Sequence, residues 1–286
     1  MKLLKQIVAL LAISFVATPA HAVSSQPKLK TTNVVIDSDA ERRIPVTLVV
    51  PASAKCCVKV RGVILFSHGA FSNPGKYSAL TERWALAGYA VIAPLHADSE
   101  AWPGAKPSQA QSAPWRIGDM KAALDNLATF GKEANLELAG RPIIIAGHSF
   151  GGLIAQFVDD ERIKGVIAFS PPGQLPGLAV PPVGKPLLTV TGTADVVPMM
   201  APKWEDHLTP HNAATGPATA YIGTGADHYF GRIIGRTEYT VPPQSDQFAE
   251  ALAVSLLFLR GIADDDESAE RDLRRYKPKH GTIQRR

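Results

Sequence analysis

The sequence has little of what marks several large classes of protein. It has 2 cysteines in 286 residues, too few for a disulfide-rich scaffold, and its charged residues, at 20%, are too few for a disordered chain. No apolar stretch reaches the ~18 residues of a membrane-spanning helix. Neither a glycine-rich phosphate loop nor the ligand spacing of a metal site is present. We therefore expect no cofactor and no metal.

Positive charge is in small excess and is not clustered outside the C-terminal tail. The formal net charge is +4, and Lys2 and Lys5 near the N-terminus account for part of it. The basic tail from Arg271 to Arg286 is expected to remain solvated. We therefore expect no nucleic-acid partner, and the sequence leaves the oligomeric state open.

Residues 1–22 have the pattern of a secretory signal. Lys2 and Lys5 form a basic start, Ile7–Thr18 is mostly apolar, and Ala20-His21-Ala22 places small residues at the two positions that a signal peptidase reads. We expect cleavage after Ala22. The mature protein would then lie in the periplasm or the medium, without a membrane anchor.

The two cysteines, Cys56 and Cys57, are adjacent. In an oxidising compartment they could form only a strained vicinal disulfide, because adjacent Cα atoms lie about 3.8 Å apart. Free thiols in a loop are the favoured interpretation, and the vicinal disulfide is the alternative. Metal binding is not expected without a further cysteine or a nearby histidine.

Eight short β-rich runs alternate with helical patterns along the chain. The middle runs are continuously apolar, which is typical of strands buried on both faces of a parallel sheet. We therefore predict one α/β domain over residues 23–286, with a mostly parallel, eight-stranded sheet flanked by helices. The polar segment 264–286 is predicted to form a short helix and then a flexible tail. The runs are Thr32–Asp37, Val46–Val50, Val63–Phe66, Ala90–Pro94, Ile143–Ala146, Val166–Phe169, Leu187–Thr191 and Thr219–Ile222. The helical patterns are Tyr77–Ala87, Ile117–Leu127, Leu153–Phe157, Gln247–Leu259 and Glu267–Tyr276.

The sharpest motif is Gly147-His148-Ser149-Phe150-Gly151, directly after an apolar strand and before a helical pattern. A glycine on each side of the serine permits the tight turn that presents a nucleophile, so Ser149 is predicted to be one. The backbone N–H of Phe150 would then donate to a developing oxyanion. A glycine-rich turn without chemistry is the alternative interpretation.

A serine nucleophile needs a base, and the base needs an orienting carboxylate. Asp195 follows the run that ends at Thr191 and is predicted to be the acid. Glu205 and Asp206 are rivals, but they lie in a helical stretch. Capping of a following helix is the alternative role for Asp195.

His228 follows the last predicted strand in a glycine-bearing loop and is predicted to be the base. His207 and His211 precede that strand and are expected to be surface residues. Asp227 is a weaker candidate for the acid than Asp195, because neighbours in sequence rarely face each other.

The run Val63–Phe66 ends in Ser67-His68-Gly69-Ala70. The N–H of Ala70 is predicted to be the second oxyanion donor, partnering that of Phe150. His68 is expected to order this loop rather than transfer a proton.

These four segments together resemble the α/β-hydrolase fold over essentially the whole mature chain. Ser67-His68-Gly69, Gly147–Gly152 and Ala226–Gly231 are similar to the motifs of serine esterases of the chlorophyllase, dienelactone-hydrolase-like and platelet-activating-factor-acetylhydrolase-like group. The stretch Arg116-Ile117-Gly118-Asp119 resembles the Arg-x-x-Asp helix start of that group. The resemblance implies a catalytic triad of Ser149, Asp195 and His228. It also implies an oxyanion hole formed by the N–H groups of Ala70 and Phe150.

The connections that could cover the site are short. Ser170–Lys185 is too short for a helical lid, and Ala97–Ser112 is a second loop at the same edge, so no large lid domain is predicted. Candidates for the substrate pocket, each equally suited to an ordinary core position, are Phe71, Trp102, Met199 and Trp204.

The sequence therefore predicts a secreted or periplasmic serine hydrolase that cleaves carboxylic esters, either small or polymeric. Acyl chains of about C2 to C8 should be favoured, because a shallow pocket cannot bury further CH₂ groups. Polyester hydrolysis and lipase-like activity are alternatives. A peptidase or amidase with the same triad, or a binding protein without activity, are further alternatives.

Overall fold

The computed structural model describes residues 28–39, 42–52, 58–175 and 180–286. The signal segment 1–22 and the pair Cys56-Cys57 lie outside the described residues, so the expectations about export and thiol state stay predictions. Within the described part of the chain, no helix has both the length and the apolar character needed to cross a membrane.

A nine-stranded sheet runs through the described residues, and two further strands pair with each other in a small second sheet. The strand order in the main sheet is β1-β2-β5-β4-β7-β8-β9-β10-β11, and β3 pairs with β6. The strands are β1 Leu29–Asp39, β2 Arg42–Pro51, β3 Val58–Lys59, β4 Val63–Ser67, β5 Ala90–Pro94, β6 Leu136–Glu137, β7 Ile143–His148, β8 Ile163–Phe169, β9 Leu187–Gly192, β10 Ala218–Gly223 and β11 Gly281–Arg285.

The six central strands, from β5 to β10 in the sheet order, are parallel. At one edge β2 pairs antiparallel with both β5 and β1, and at the other edge β11 pairs antiparallel with β10. Every residue of β4, β5, β7 and β9 is buried, as expected for strands covered on both faces. Because the strands are parallel, their carboxyl ends meet at one edge of the sheet. Loops after β4, β7, β9 and β10 all emerge there.

The C-terminal tail differs from the prediction, and so does the strand count. Residues 264–286 form the expected short helix, but the predicted flexible tail is wrong: Gly281–Arg285 is a ninth strand, paired with β10 from Thr219 to Gly223. This strand covers what would otherwise be an open sheet edge. It is anchored by Glu250, whose carboxylate accepts hydrogen bonds from the N–H groups of Lys279 and His280.

Two layers of helices cover the sheet. One face packs against α1 (Ser78–Leu86) and α6 (Ser245–Ala263). Trp84 of α1 links the two helices, because its Nε1 donates to Ser255 Oγ of α6 at 3.0 Å. The opposite face packs against α2, α3 and α4. The helices are α1 Ser78–Leu86, α2 Gln109–Asp125, α3 Leu127–Ala134, α4 Phe150–Ile154, α5 Thr209–Ala213, α6 Ser245–Ala263 and α7 Glu267–Arg275. Single 3₁₀ turns lie at Pro74–Tyr77, Ala155–Phe157 and Trp204–Leu208.

Helix α2 begins inside the segment that the sequence predicted to be a loop as far as Ser112. It starts at Gln109 because Ser108 and Gln111 form a capping box. Because the helix starts earlier, Ser112 lies on its first turn and lines a cavity, and Arg116 lies beneath the loop after β4.

Candidate active site

Ser149 lies in the turn between β7 and α4 with φ 54° and ψ −124°. A positive φ at a non-glycine residue stores about 1–3 kcal/mol of strain, and such strain tends to occur at functional sites. The turn is tight on both sides. A Cβ on Gly147 would lie 2.3 Å from the carbonyl carbon of Gly151, and a Cβ on Gly151 would lie 2.0 Å from the carbonyl oxygen of Ser67. Both glycines of the motif are therefore required by close approach.

Asp195 and His228 come from the loops that follow β9 and β10. His228 Nδ1 lies 2.7 Å from Asp195 Oδ1, and Thr191 Oγ1 donates to Asp195 Oδ2 at 2.9 Å. The ring of His148, the residue before Ser149, lies 4.8 Å from the ring of His228. The structure therefore places the Asp195–His228 pair beside the turn that carries Ser149, at the carboxyl edge of the sheet.

Burial shapes the electrostatics of this pair. Asp195 is fully buried, which alone would raise its pKa, but the contacts of its carboxylate with the His207 and His228 imidazoles hold the pKa of Asp195 well below its usual range. Asp195 is therefore ionised at neutral pH and can orient a histidine.

The rival carboxylates have other tasks. Asp227 accepts hydrogen bonds from the N–H groups of Tyr229 and Gly231, so it shapes the loop that carries His228. Asp206 accepts from the N–H of Lys203 and begins a 3₁₀ turn.

The expectation that His207 and His211 lie at the surface is wrong. They are 0% and 3% exposed. His207 Nδ1 lies 2.9 Å from the carbonyl oxygen of Pro171, and its Nε2 lies 2.9 Å from Asp195 Oδ1. A 3₁₀ turn is too short to give a hydrophobic period, so the sequence offered no sign of this burial.

The loop after β4 packs directly against the turn that holds Ser149. A Cβ on Gly69 would lie 3.5 Å from Cβ of Ser149 and 2.9 Å from the hydroxyl of Tyr77, so glycine is needed for this approach. Ala70, the next residue, and Phe150, the residue after Ser149, both line one cavity. The two predicted oxyanion donors are therefore on the wall of the same space.

Arg116 of α2 holds this loop in place. It is 1% exposed, and it donates to the carbonyl oxygens of His68, at 2.5 Å, and Gly69, at 3.1 Å. Its guanidinium also binds both carboxylate oxygens of Asp98 at 2.8 Å and lies 4.7 Å from the ring centre of Phe150. One buried cation thus contacts both segments that carry the predicted oxyanion donors.

A hydrogen-bonded chain joins the loop of His228 to the loop after β4. Tyr77 Oη accepts from the N–H of Gly69 at 2.9 Å and lies 2.9 Å from His148 Nδ1, and His148 Nε2 lies 2.8 Å from the carbonyl oxygen of His228. That carbonyl can only accept, so His148 carries its proton on Nε2 and Tyr77 donates to Nδ1. Burial and the neighbouring His228 lower the pKa of His148 to about 3, which keeps this histidine neutral.

A second serine, histidine and aspartate lie in line behind the same loop. Ser67 Oγ is 2.9 Å from His96 Nε2, and His96 Nδ1 is 2.9 Å from Asp119 Oδ2. Asp119 Oδ1 also accepts from Arg42 at 2.8 Å. Ser67 and His96 are fully buried and Asp119 is 1% exposed, so substrate cannot reach this set.

The comparisons with known proteins identify the family and the fold of the chain. The model of the Hydrolase_4 family, described as serine aminopeptidase, S33, matches residues 58–210, which is more than half of the chain. The chain belongs to this family. The predicted α/β-hydrolase fold is thereby confirmed, whereas the narrower likeness to the chlorophyllase-like group stays a prediction.

A solved structure supports the same fold for this Hydrolase_4 member. A ferulic acid esterase from Streptomyces cinnamoneus superposes with a TM-score of 0.67, at 20% identity, over 94% of this chain and 98% of that one. At this identity the likeness concerns the fold alone. No curated protein matches the chain.

The cavity of this α/β-hydrolase beside Ala70 and Phe150 has a volume of about 570 Å³. Of the four pocket candidates, Phe71 lines this cavity and the other three do not. Met199 is 91% exposed and its neighbour Met200 faces the cavity instead, Trp204 packs beside Leu208, and Trp102 lies over Gly104. The cavity is lined by Ala70, Phe71, Asp98, Gln109, Ala110, Ser112, Phe150, Leu175 and Met200.

Asp98 is the one charged side chain among these lining residues, and it is neutralised within the protein. Burial alone would raise the pKa of Asp98, but the paired guanidinium of Arg116 holds it well below its usual range. The cavity therefore presents an ion pair without net charge beside otherwise neutral walls.

Asp195, His207 and His228 are the one group in the described part of the chain whose ligand atoms, all within 4.8 Å of one another, could reach a single metal ion. Both imidazoles already contact the carboxylate directly, at 2.7 and 2.9 Å. We therefore assign no metal site to this group.

Proposed function

We propose that the protein is a serine hydrolase that cleaves carboxylic esters through an acyl-enzyme. The observation that carries the proposal is the meeting, at one sheet edge, of a strained Ser149 turn with the buried Asp195–His228 pair. Three groups in these roles are what an activated serine nucleophile requires.

The proposed mechanism assigns a role to each group. His228 removes the proton of Ser149, whose oxygen attacks the ester carbonyl, while Asp195 holds the imidazole in the required tautomer. The N–H groups of Ala70 and Phe150 stabilise the oxyanion. His228 then protonates the leaving alcohol. In the second half of the reaction His228 removes a proton from water, which attacks the acyl-enzyme, and returns that proton to Ser149 as the carboxylic acid leaves.

The cavity favours an ester over the peptide of an aminopeptidase. An aminopeptidase needs a negative group near the nucleophile to bind the substrate's free ammonium. Asp98 is the one acid that lines the cavity, and Arg116 already binds both of its oxygens. A substrate with a neutral acyl group is therefore the better match.

The size and lining of the cavity favour short to medium acyl chains. Its volume of about 570 Å³ is in the range of a pocket for one small ligand, and its apolar walls come from side chains such as Phe71, Leu175 and Met200. We propose a neutral acyl group of about C2 to C8, for which each CH₂ can find a wall.

Polyester hydrolysis is a second candidate because apolar side chains surround the site opening. Phe71, Val196 and Met199 are 57%, 50% and 91% exposed and belong to the loops that carry Ala70 and Asp195. Such a rim offers an apolar polymer surface a place to contact. Export to the periplasm or medium, still a proposal, would bring the enzyme to such substrates.

The test compares p-nitrophenyl esters from C2 to C16 with aminoacyl p-nitroanilides, and includes a polyester film. We expect turnover of the short esters, no measurable turnover of the anilides, and loss of all turnover in Ser149→Ala. Ser245→Ala, at the exposed start of α6, is the matched control and should keep full activity. Faster cleavage of anilides than of esters would refute the proposed substrate class.

A further inference from the structure

His207 shares the carboxylate that orients His228, yet a triad has no use for a second imidazole. Its Nε2 and the Nδ1 of His228 lie 2.9 and 2.7 Å from the same oxygen of Asp195. The two rings are 5.6 Å apart. His207 is fully buried, so solvent does not explain its position.

Two neighbours determine the protonation of His207. The carbonyl of Pro171 can only accept, so Nδ1 of His207 carries a proton. On the other side, an unprotonated Nε2, which carries partial negative charge, would lie 2.9 Å from a carboxylate oxygen, and this contact is repulsive. A proton on Nε2 turns that contact into an ion pair, although its angle departs from that of a straight hydrogen bond.

The charges around His207 agree with the doubly protonated form. Burial disfavours the charge, but Asp195 outweighs it and raises the pKa of His207. Asp206 acts in the same direction from the same 3₁₀ turn. The other titratable groups near this cluster include His228, His148 and Tyr229. His148 is neutral because its pKa is about 3, and burial raises the pKa of Tyr229, which keeps its hydroxyl neutral.

We propose that His207 is a positioning residue of the active site, held as an imidazolium that pairs with Asp195 and ties it to the carbonyl of Pro171. Pro171 lies just after β8, in the connection that borders the site. His207 therefore fixes the acid against this connection and offsets part of its negative charge. This inference rests on the proposed function only for its kinetic consequences.

The kinetic consequence has a definite sign. With His207 charged, the field of Asp195 at His228 is partly cancelled. Removing the cation leaves the full negative charge of Asp195 at the site, so the acid limb of the pH profile of kcat/KM should move to higher pH. A residue that merely filled space would change the rate without moving the pH dependence.

The first test is ¹⁵N NMR of the histidine rings in the full-length mature protein, and it needs no turnover. We expect both ring nitrogens of His207 to remain protonated at pH 8 in the native protein. In Asp195→Asn, the ring should become neutral at that pH. An unprotonated ring nitrogen of His207 at pH 8 in the native protein would overturn the proposal. The ring signals can be assigned from their loss in His207→Gln or, if that variant does not fold, by correlation with the backbone signals of His207.

The second test is the pH profile of kcat/KM for His207→Gln. We expect its acid limb to move up by about 1 pH unit. The control is His211→Gln, four residues later, also buried, with its Nδ1 lacking a hydrogen-bond partner in the described structure; its limb should not move. An unmoved limb in His207→Gln, with a rate loss equal at every pH, would show a packing role and contradict the proposal. If no ester is cleaved at all, the proposed function fails while the NMR result still decides the state of His207.

Discussion

The molecule contains two sets of serine, histidine and aspartate, and their surroundings separate them. Ser67, His96 and Asp119 form a continuous hydrogen-bonded line with contacts of 2.9 Å, but all are buried behind a loop. The set around Asp195 and His228 lies at the carboxyl edge of the sheet, beside Ser149, which is partly exposed. Geometry within a set is therefore not enough to identify an active site.

The two serines differ in backbone as well as in access. Ser67 is the last residue of a regular strand, whereas Ser149 is held at φ 54° between two close-packed glycines. Strain of this kind persists where function requires it. Ser67 instead binds His96, whose N–H donates to His68 in the loop of the proposed oxyanion donor, so the Ser67 set supports the loop beside Ser149.

The largest expected effect separates the two serines. Ser149→Ala should lower kcat/KM for a short ester by about 10⁵-fold or more, because triad members act as a unit. Ser67→Ala should lower it by no more than about 10-fold, since only support of the loop is lost. The measurement is kcat/KM on one p-nitrophenyl ester, with circular dichroism as the control for folding. Equal losses in the two variants would erase the distinction.

Substitution of Asp195 should mainly reduce activity, whereas substitution of Asp119 should mainly reduce stability. Asp195→Asn should lower kcat by about 10⁴-fold, through the wrong tautomer of His228. Asp119→Asn removes the charge that pairs with Arg42 and weakens the hydrogen bond with His96, so it should lower the free energy of unfolding by about 3 kcal/mol and leave most activity. Urea unfolding and kcat, measured on both variants, test this contrast between activity and stability. A larger activity loss in Asp119→Asn than in Asp195→Asn would contradict the assignment of Asp195 as the catalytic acid.

Arg116 connects the sets, so its loss should affect rate more than binding. Arg116→Lys keeps the charge but loses the forked hydrogen bonds to Asp98 and to the carbonyls of His68 and Gly69. We expect kcat to fall by about 10²-fold with KM nearly unchanged, as for a displaced oxyanion donor. A rise in KM alone would show that Arg116 shapes the pocket and not the donors.

Acid should destabilise the fold through buried neutral histidines in both sets. Burial is the first cause that lowers the pKa values of His68, His96 and His148. Their contribution to stability is complete above the unfolded value of 6.5 and falls as pH drops, by up to about 1.4 kcal/mol per pH unit for each. His207, with a raised pKa, acts in the opposite direction near and above pH 6.5, and its contribution is constant only well below that value. Urea unfolding from pH 7 to 5 should show this fall, and a flat profile would contradict the neutral state of these rings.

The smallest expected effect concerns acyl length. Each added CH₂ can contribute at most about 0.8 kcal/mol while wall remains to receive it. We expect kcat/KM to peak between about C2 and C8 and to show no jump above the critical micelle concentration. A steady rise to C16 would reveal a longer tunnel than the described cavity.

The strands of the central sheet could be predicted from the sequence because buried parallel strands appear as apolar runs. The loops of the candidate site could be predicted because Ser149, Asp195 and His228 each follow such a run. All eight predicted runs are strands. The ninth strand escaped because Ile283 stands among charged residues and is stabilised by pairing with β10, a contact distant in sequence.

Positions that depend on distant contacts could not be predicted. Arg116 and Asp119 were noticed through a motif, but their partners Asp98 and His96 lie in another loop. His207 was misplaced because a short turn gives no periodic signal. Of the four pocket candidates only Phe71 lines the cavity, since an aromatic in a loop does not reveal which way it faces.

The central claim is that Ser149, and not Ser67, is the nucleophile. A fluorophosphonate forms a covalent adduct only with a serine that is both activated and accessible. We predict that mass spectrometry of the digested protein finds one adduct per chain, on the peptide that carries Ser149, and none in Ser149→Ala. An adduct on another residue, or a native enzyme that cleaves esters without being labelled, would contradict the account.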